Sequence, residues 1–527
     1  MKFKSTILAS AAALLLANTA SADFTVRLTG ATAFRASAVN AIKNTMTFPA
    51  DSGGVDYGYG YVGTSFDSSA NQIFVGTMTA FPGQVVTVKC TWSGSVAGIR
   101  ALSGNLNGTP FNVKFLSLHP AATDAVGTQY ALSATGTASV NADNLDDSAQ
   151  ADMGFADNAQ SSSKYLNNSL DADVVGVVPF CFVASRDAPA GLTNITPQLA
   201  QFIYGNGFAS AAMFTNNPAD ASNLVGGTMI YPMGRDPFSG TRVIVHAETG
   251  IGAAGVVNQW RITGTTGASP DVAASQIDVT AADATTDTLN QIDAGNNGDT
   301  SGSSLANSLR HKSLSVNDIA TGNNSVKAAF IAYMGETDAN SAVNGISSSV
   351  NGGANTNVGC RILTYNGVSA FGGKAYSVST ATTTQGSNVV TNIDARGLVA
   401  GQFLRSTTGH LDTDSIILTV TAGVSATDGQ VTVSKNALLS STGGASFQAS
   451  NVLPQAIWNG SYTLWGYEVI MKRASLTSGD KFTFYTNLKN RIHDTDYFYA
   501  GMSEGAMKVS RSQDGGTVGP KYDFVTP

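Results

Sequence analysis

The sequence predicts an α/β protein that carries an inserted all-β module. Two observations lead to this fold class. An apolar strand, a glycine-containing turn and a helix follow one another twice within residues 24–102. By contrast, residues 375–450 consist of alternating β-branched stretches separated by Gly, Asp and Asn, with no helical pattern of any length. The chain of 527 residues is long enough for more than one folding unit.

The first elements place two loops at the ends of strands. FTVRLTG (24–30) is a predicted strand that ends in a turn, and ATAFRASAVNAIKNTM (31–46) has the apolar spacing of a helix. QVVTVKCTWSG (84–94) is the next strand, and SVAGIRAL (95–102) is the next helix. Ligands of α/β proteins gather at the carboxyl ends of strands, so the loops after both strands are candidate binding loops.

Later elements continue the α/β pattern on both sides of the module. The helix predicted over 192–207 has Pro197 near its start and glycines at its end. Three buried strands are predicted at 174–184, 326–335 and 463–473. One further helix is predicted at 481–492.

Composition and charge exclude several classes of function. A net charge of −7 gives no general attraction to nucleic acid or to anionic membranes, so any anion site has to be local. The three cysteines allow at most one disulfide, and Cys181 lies in an apolar run that indicates a buried free thiol. The five histidines lack zinc-ligand spacing, and the oxygen-rich stretch 293–302 lacks the closing glutamate of an EF-hand loop. We therefore expect no metal and no cofactor.

The N-terminus has the pattern of a secretory signal peptide. Lys2 and Lys4 precede an apolar run over 7–16, and small residues at 20–22 offer a cleavage site after Ala22. No later stretch has the roughly 18 apolar residues that a membrane span needs. We expect an exported protein, periplasmic or secreted, that is not embedded in a membrane.

Four segments share the chemistry of an oxyanion site. Three lie at or just before a predicted helix start, where unpaired N–H groups and the helix dipole favour a bound anion. Hydroxyl groups add donors, and an arginine can add a bidentate pair to tetrahedral oxygens. The segments are Gly30–Phe34, Ser93–Ser95, Asp152–Asp157 and Arg235–Thr241.

In this order the four segments resemble the phosphate-binding proteins of bacterial ABC phosphate transporters, which have a two-lobed type II periplasmic binding protein fold. Arg235-x-x-x-Ser239-Gly240-Thr241 matches the family's R-x-x-x-S-G-T stretch, and Asp152–Asp157 is similar to its D-x-G-x-S-D segment. The resemblance implies a ligand set for phosphate that comprises Thr32, Ala33, Phe34, Ser95, Asp157, Arg235, Ser239, Gly240 and Thr241.

The resemblance also implies the role of Asp157 and the organisation of the chain. Asp157 would accept the proton of hydrogen phosphate, which sulfate cannot offer, and an ABC permease would be the membrane partner. The first lobe would comprise 23–178, completed by 336–374 and 451–527. The second lobe would comprise 179–335, with the inserted module at 375–450.

Three departures from the family pattern leave other functions open. Pro237 stands where the family usually has an aspartate, Val96 and Ala97 replace hydroxyl or glycine residues, and Arg35 adds a cation beside the first loop. One alternative is a secreted surface or matrix protein that uses the fold for interaction. Another is a different oxyanion, such as sulfate or molybdate.

We expect no enzymatic activity and several purely structural residues. Ser161–Lys164 fits the S-x-x-K signature of serine acyl-enzymes, but the accompanying S-D-N and K-T-G elements are absent. Arg100 and Arg242 are expected on helix surfaces, and Asp152 is expected in a turn or cap. The aromatic residues Trp458 and Trp465 are expected in the core.

Overall fold

The computed structural model describes most of the chain after the predicted signal peptide, which lies outside the described residues. It covers 23–522 except for gaps at 54, 64, 118–131, 138–144, 187, 222–226, 264–275, 280–294, 311–326, 345–358 and 407.

Short strands with buried apolar side chains build the α/β frame and the module. The strands before the module are β1 (Phe24–Gly30), β2 (Gly58–Tyr61), β3 (Asn71–Gly76), β4 (Val86–Thr91), β5 (Val113–Phe115), β6 (Asp147–Ala149), β7 (Met153–Ala156), β8 (Leu170–Ala184), β9 (Asn194–Ile195), β10 (Ala209–Ser210), β11 (Thr228–Met233), β12 (Trp260–Thr263), β13 (Gln276–Val279), β14 (Lys327–Gly335), β15 (Arg361–Ile362) and β16 (Thr364–Tyr365). The module contributes β17 (Tyr376–Thr383), β18 (Val389–Ile393), β19 (Leu404–Ser406), β20 (Ile417–Thr421), β21 (Gly429–Val433) and β22 (Ser441–Ala449). The C-terminal part adds β23 (Trp465–Arg473), β24 (Val509–Ser510) and β25 (Gly519–Pro520).

The helices of the described residues are short and follow strands or turns. They are α1 (Arg35–Thr45), α2 (Ser95–Ser103), α3 (Pro197–Asn206), α4 (Ala212–Thr215), α5 (Gly240–Thr249), α6 (Gly302–Leu309), α7 (Glu336–Asn344), α8 (Pro454–Trp458) and α9 (Asp480–Asp494).

Two sheets share the long strand β8 and form the frame. The first runs in the order β2-β3-β4-β1-β7-β23-β8, and β1 pairs in parallel with both β4 and β7. The second runs in the order β8-β14-β11-β10, with β15 also paired to β8. Residues 170–179 of β8 pair with β23, whereas residues 180–184 pair with β14. The frame is therefore α/β and two-lobed, as expected.

The division of the chain between the lobes stays a prediction. One strand pairing concerns this division. Strand β15 lies in the predicted segment 336–374, but it pairs with β8 in the second sheet. The sequence placed that segment with the first lobe.

Helices α3 and α5 begin at hydroxyl caps and end at glycines, and Pro197 and Gly207 of α3 agree with the predicted helix start and end. The Thr196 side chain accepts a hydrogen bond from the Leu199 N–H, Pro197 is the first residue of α3, and Gly207 ends the helix with φ 85°. Helix α5 begins with Ser239 as its N-cap and ends at Gly250 with φ 78°. A positive φ is easily adopted only by glycine, so these helices end where the sequence has Gly.

The inserted module is an all-β sheet, as predicted. Its six strands run in the order β19-β22-β17-β18-β21-β20 around a separate apolar cluster. The described residues of 375–450, which omit only 407, contain no helix. The buried Arg405 attaches the module to the frame by donating to the carbonyl oxygens of Phe498 (3.0 Å) and Gly501 (2.7 Å).

The cysteines lie in the interior as free thiols. Cys90, Cys181 and Cys360 are all buried and unpaired by disulfides. The prediction for Cys181 is confirmed. Burial raises the pKa of the Cys181 thiol far above its usual value, so this group is an unreactive core residue.

Candidate functional site

Three candidate loops of the first lobe meet because their strands are parallel. The Gly94 N–H donates to the Gly30 carbonyl (2.9 Å), and the Ala31 N–H donates to the Phe155 carbonyl (2.8 Å). Gly30 has φ 122°, and a Cβ atom there would lie 2.0 Å from the Phe155 oxygen. Glycine is thus required for the close approach of β1 and β7, which brings the loops after β1, β4 and β7 to one edge.

The start of helix α5, which follows strand β11 beside β14, reaches the same edge. The Ser239 side chain accepts from the Arg242 N–H (3.4 Å) and caps the helix. The Val96 N–H of α2 donates to the Phe238 carbonyl (3.0 Å), so the two helix starts are in direct contact. The positive ends of both helix dipoles therefore lie together at this contact.

Asp157 lies between these two helix starts. Its side chain is only 2% exposed. Its N–H donates to the Ser95 hydroxyl oxygen (3.2 Å), and the Thr241 hydroxyl donates to its Oδ2 atom (3.5 Å). Burial raises the pKa of the Asp157 carboxyl, while a hydrogen bond to Glu468, the charge of Arg235 and the two hydroxyls act in the opposite direction.

Gly240 completes this contact. A Cβ atom there would lie 2.2 Å from the Ser95 Oγ atom and 2.9 Å from the Asp157 Oδ2 atom. The structure therefore brings four of the predicted site residues together, namely Ser95, Asp157, Gly240 and Thr241.

Arg235 is buried beside this group and is held by a loop from later in the chain. Its Nε and Nη2 atoms donate to the carbonyl oxygens of Asp299 and Thr300, both at 3.0 Å. Its N–H donates to the Tyr333 hydroxyl (3.2 Å). The acceptors are neutral, so they orient the guanidinium group without cancelling its charge, which acts on the Asp157 carboxyl.

The residues of the first predicted loop take a smaller part in the contacts around Asp157. Thr32 and Ala33 are partly buried at the same sheet edge. Phe34 is completely buried, and its ring packs closely against Gly176 and Gly501. Only the backbone of Phe34 can therefore serve a ligand. Within the part of the chain that the structure describes, no hydrogen bond joins this loop to the carboxyl of Asp157.

Asp338 is a site residue that the sequence reasoning missed. Asp236, which follows Arg235 in the sequence, caps its own turn instead, by accepting from the Phe238 N–H (2.7 Å). The partly buried Asp338 follows strand β14, and the charges of Arg235 and Arg35 both act on its carboxyl. Those charges lower the pKa of Asp338, although burial has the larger and opposite effect. The signal in the sequence was an acid at a helix start directly after a buried strand.

Glu468 is a second missed residue. It lies on β23, is 0% exposed, and is in side-chain contact with Asp157. A lone glutamate in the apolar stretch WGYEVIMKR, in a chain with only four glutamates (Glu248, Glu336, Glu468 and Glu504), was a usable signal.

Two of the structural expectations were wrong and others are confirmed. Arg242 is 3% exposed and donates to the carbonyl oxygens of Arg235 (3.1 Å) and Asn296 (2.6 Å). Arg100 is buried with its guanidinium 3.9 Å from the centre of the Phe111 ring. Both lie on helix faces that are covered by loops which the helical spacing alone does not reveal. Trp458 and Trp465 lie in the core, as predicted. Asp152 is structural, but its carboxylate accepts from the distant Arg27 N–H (3.0 Å) instead of capping a turn.

Other classes of site are not found in the described ranges. Among these residues no group of three or more His, Cys, Asp or Glu side chains is arranged to hold a metal ion. No helix in the described part of the chain is long and apolar enough to cross a membrane.

Comparisons with known proteins give distant similarities only. No family model and no curated protein matches the chain. The chain is similar to the solved structure of an ABC-type phosphate transport receptor from Vibrio cholerae, with 10% identity, a TM-score of 0.35 and coverage of 91% of this chain and 99% of that one. It is also similar to PstS from Borrelia burgdorferi, with 9% identity, a TM-score of 0.30 and coverage of 90% and 94%. At these TM-scores the function has to be argued from the site itself.

Proposed function

We propose that this chain is an exported solute-binding protein that captures an oxyanion, phosphate in particular, between its two lobes. In an ABC-type uptake system it would deliver the anion to a permease. The single observation that carries the proposal is the position of Asp157, a buried carboxyl group between two helix starts and beside Arg235.

The chemistry of this arrangement favours an anion that still carries a proton. Helix N–H groups, the hydroxyls of Ser95 and Thr241 and the guanidinium of Arg235 are all donors to oxyanion oxygens. Asp157 is an acceptor among these donors. Hydrogen phosphate can donate to it, whereas sulfate has no proton and would be repelled, so the carboxylate discriminates between two anions of similar shape.

The direct contact between the lobes fits a binding site that closes around its ligand. The Val96 N–H and the Phe238 carbonyl join the two helix starts at 3.0 Å. Entry of an anion therefore requires the lobes to separate at this edge, and β8, which both sheets share, is the connection about which they would move.

The alternative function is that of a secreted surface or matrix protein, and the module favours it. Its outer turns and edge expose apolar side chains, including Val424, which is 94% exposed, and Leu418 and Leu438, which are about half exposed. Exposed apolar groups on an inserted sheet are suited to contact with another macromolecule. In that case the frame would retain the fold without capturing an anion.

Calorimetric titration with phosphate and then sulfate tests the proposal. The protein is first freed of carried-over anion by partial unfolding and dialysis. We expect heat with phosphate and none with sulfate. In Asp157→Asn an amide donor replaces the carboxylate acceptor, so sulfate should be admitted and the discrimination should fall by about 5- to 100-fold, as for the loss of one buried hydrogen-bond partner.

Asp152→Asn is the matched control for this substitution. Asp152 is a buried acid that immediately precedes β7, whereas Asp157 follows it. Its carboxylate accepts from the Arg27 N–H (3.0 Å) and pairs with Lys481 (2.8 Å). This variant should lose stability and keep the discrimination. An absence of heat with both anions in the unsubstituted protein would contradict the proposal and favour the alternative.

A further inference from the structure

Two carboxyl groups meet at the inner end of the candidate site. Strand β23 runs antiparallel to β7 with Val469 opposite Ala156, so the next pair in this register is Glu468 and Asp157. Strand β8 has a bulge at the same level, because its pairing with β23 shifts between Glu468 and Val469. Bulges of this kind redirect a side chain, and here they accompany a glutamate that is turned into the interior.

The hydrogen bonding of the pair requires a proton. No N–H or O–H group of the described residues reaches either carboxyl oxygen of Glu468 or the Oδ1 atom of Asp157. The strand register nevertheless places the two side chains next to each other, so that a hydrogen bond between them affects the pKa of each group. Since a carboxylate can only accept, one of the two groups has to be protonated in order to donate. Two buried like charges in contact would also be strongly unfavourable.

The surroundings decide which carboxyl group holds the proton. Asp157 has the positive charge of Arg235 and the hydroxyls of Ser95 and Thr241 nearby, which favour its ionised form. Neither this positive charge nor these hydroxyl groups act on Glu468. Burial and the neighbouring charge of Asp157 raise the pKa of Glu468 well above its usual value. The proton therefore lies on Glu468, which donates to Asp157.

We propose that Glu468 is a positioning residue that shares one proton with Asp157 and fixes this carboxylate as an acceptor for an oxyanion that carries a proton. The inference rests on the proposed function of the site, which it extends to a residue outside the four predicted segments. With one proton between them the two acids carry a single negative charge, and the oxygen of Asp157 that does not face Glu468 is left to receive the phosphate hydroxyl.

The groups that act on the pair come from each surrounding element. Strand β8 places Gly176 opposite Glu468 and adds no charge there. Helices α2 and α5 contribute the hydroxyls of Ser95 and Thr241, and Arg235 is the cation whose charge acts on Asp157. The pH response of the pair should therefore be set by the two acids and this arginine.

Carbon-13 spectroscopy measures the shared proton directly. Labelling glutamate at Cδ gives four carboxyl signals in this chain, from Glu248, Glu336, Glu468 and Glu504, and Glu468→Gln identifies one of them by its loss. We expect the Glu468 signal to be in its protonated position at pH 7. In Asp157→Asn its titration should move to lower pH, because the neighbouring negative charge is gone. Glu248, a partly buried acid paired with Arg511 (2.8 Å), should not change.

The pH dependence of phosphate affinity is the second readout. Above the pH at which Glu468 ionises, the pair has two negative charges and phosphate affinity should fall. Glu468→Gln keeps a donor to Asp157 but cannot ionise, so its affinity should be within about threefold of the unsubstituted protein at pH 7 and should not show this fall. Glu468→Leu removes the donor and should weaken binding about tenfold or more.

The outcomes separate this inference from the proposed function. A Glu468 signal that titrates near the ordinary glutamate value of about 4.3, in a protein that binds phosphate, would overturn the inference and leave the proposed function standing. A protonated Glu468 in a protein that gives no heat with phosphate would support the shared proton and overturn the proposed function. A purely structural Glu468 would leave the pH profile unchanged in Glu468→Gln.

Discussion

At the scale of single residues, the candidate site depends on an approach between the lobes that only glycine permits at position 240. A Cβ atom at Gly240 would lie 2.2 Å from the Ser95 Oγ atom. In Gly240→Ala this overlap should push the helix starts apart, lower the free energy of unfolding by about 1–3 kcal/mol and weaken phosphate binding. Thermal unfolding and calorimetric titration of the same samples measure both effects.

Gly205→Ala is the matched control. Gly205 lies in helix α3 with no atom within 4 Å of its Cβ position, so alanine should leave stability unchanged or raise it by about 0.5–1 kcal/mol. Phosphate affinity should not change in this control. If the two variants have equal stability and equal phosphate affinity, the contact between Gly240 and Ser95 contributes to neither.

At the scale of secondary-structure elements, helix capping at the start of α5 can be separated from the anion binding that we propose there. Ser239 caps the helix by accepting from the Arg242 N–H, and in the proposed function its hydroxyl also faces the anion. Ser239→Ala should cost about 1 kcal/mol of stability and should weaken phosphate binding. Chemical denaturation measures the change in the free energy of unfolding, and calorimetric titration measures the change in phosphate affinity.

Thr196→Ala separates capping from binding. Thr196 caps helix α3 in the same way, by accepting from the Leu199 N–H (3.2 Å), but it belongs to none of the four candidate segments. Its loss should cost a similar amount of stability and leave phosphate affinity intact. If both variants bind phosphate as the unsubstituted protein does, Ser239 is a cap and nothing more.

At the scale of the whole molecule, the two lobes are joined by more than strand β8. The segment after 508 contacts both, since Arg511 pairs with Glu248 of α5 (2.8 Å) and Asp514 accepts from the Ala159 N–H (2.9 Å), which follows β7. The inserted module is attached separately, and its contacts include the Tyr497 hydroxyl, which donates to Asp414 (2.9 Å). Any movement of the lobes therefore has to accommodate the C-terminal segment as well.

The parts of the fold with local signals could be predicted from the sequence. The glycine turns after β1 and β4, the cap and proline of α3 and the helix-free module are all determined by residues close together in the chain. The grouping of Ser95 and Asp157 follows from the parallel strands β1, β4 and β7, which bring their carboxyl ends to one edge. The addition of Gly240 and Thr241 was implied only by the family resemblance, because they follow β11, which pairs with β14.

The rest depended on contacts between distant segments. Glu468 reaches Asp157 only because β23 returns between β7 and β8, which no local pattern reveals. The burial of Arg242 depends on the loop that includes Asn296, and the charge of Arg235 acts on Asp338 from a different strand connection. These residues are buried or partly buried ionisable groups, and their burial became visible only once the sheets were in place.

Anomalous diffraction from crystals grown with arsenate would show whether an oxyanion binds between the lobes in contact with Asp157. Arsenate has the shape and the proton of hydrogen phosphate, and arsenic gives an anomalous signal that identifies its position. We expect one strong peak within hydrogen-bond distance of Asp157 and of the N–H groups at the start of α5. Crystals in which arsenate binds elsewhere would contradict this expectation. Crystals without bound arsenate, grown with arsenate at concentrations well above those of phosphate, would contradict it as well.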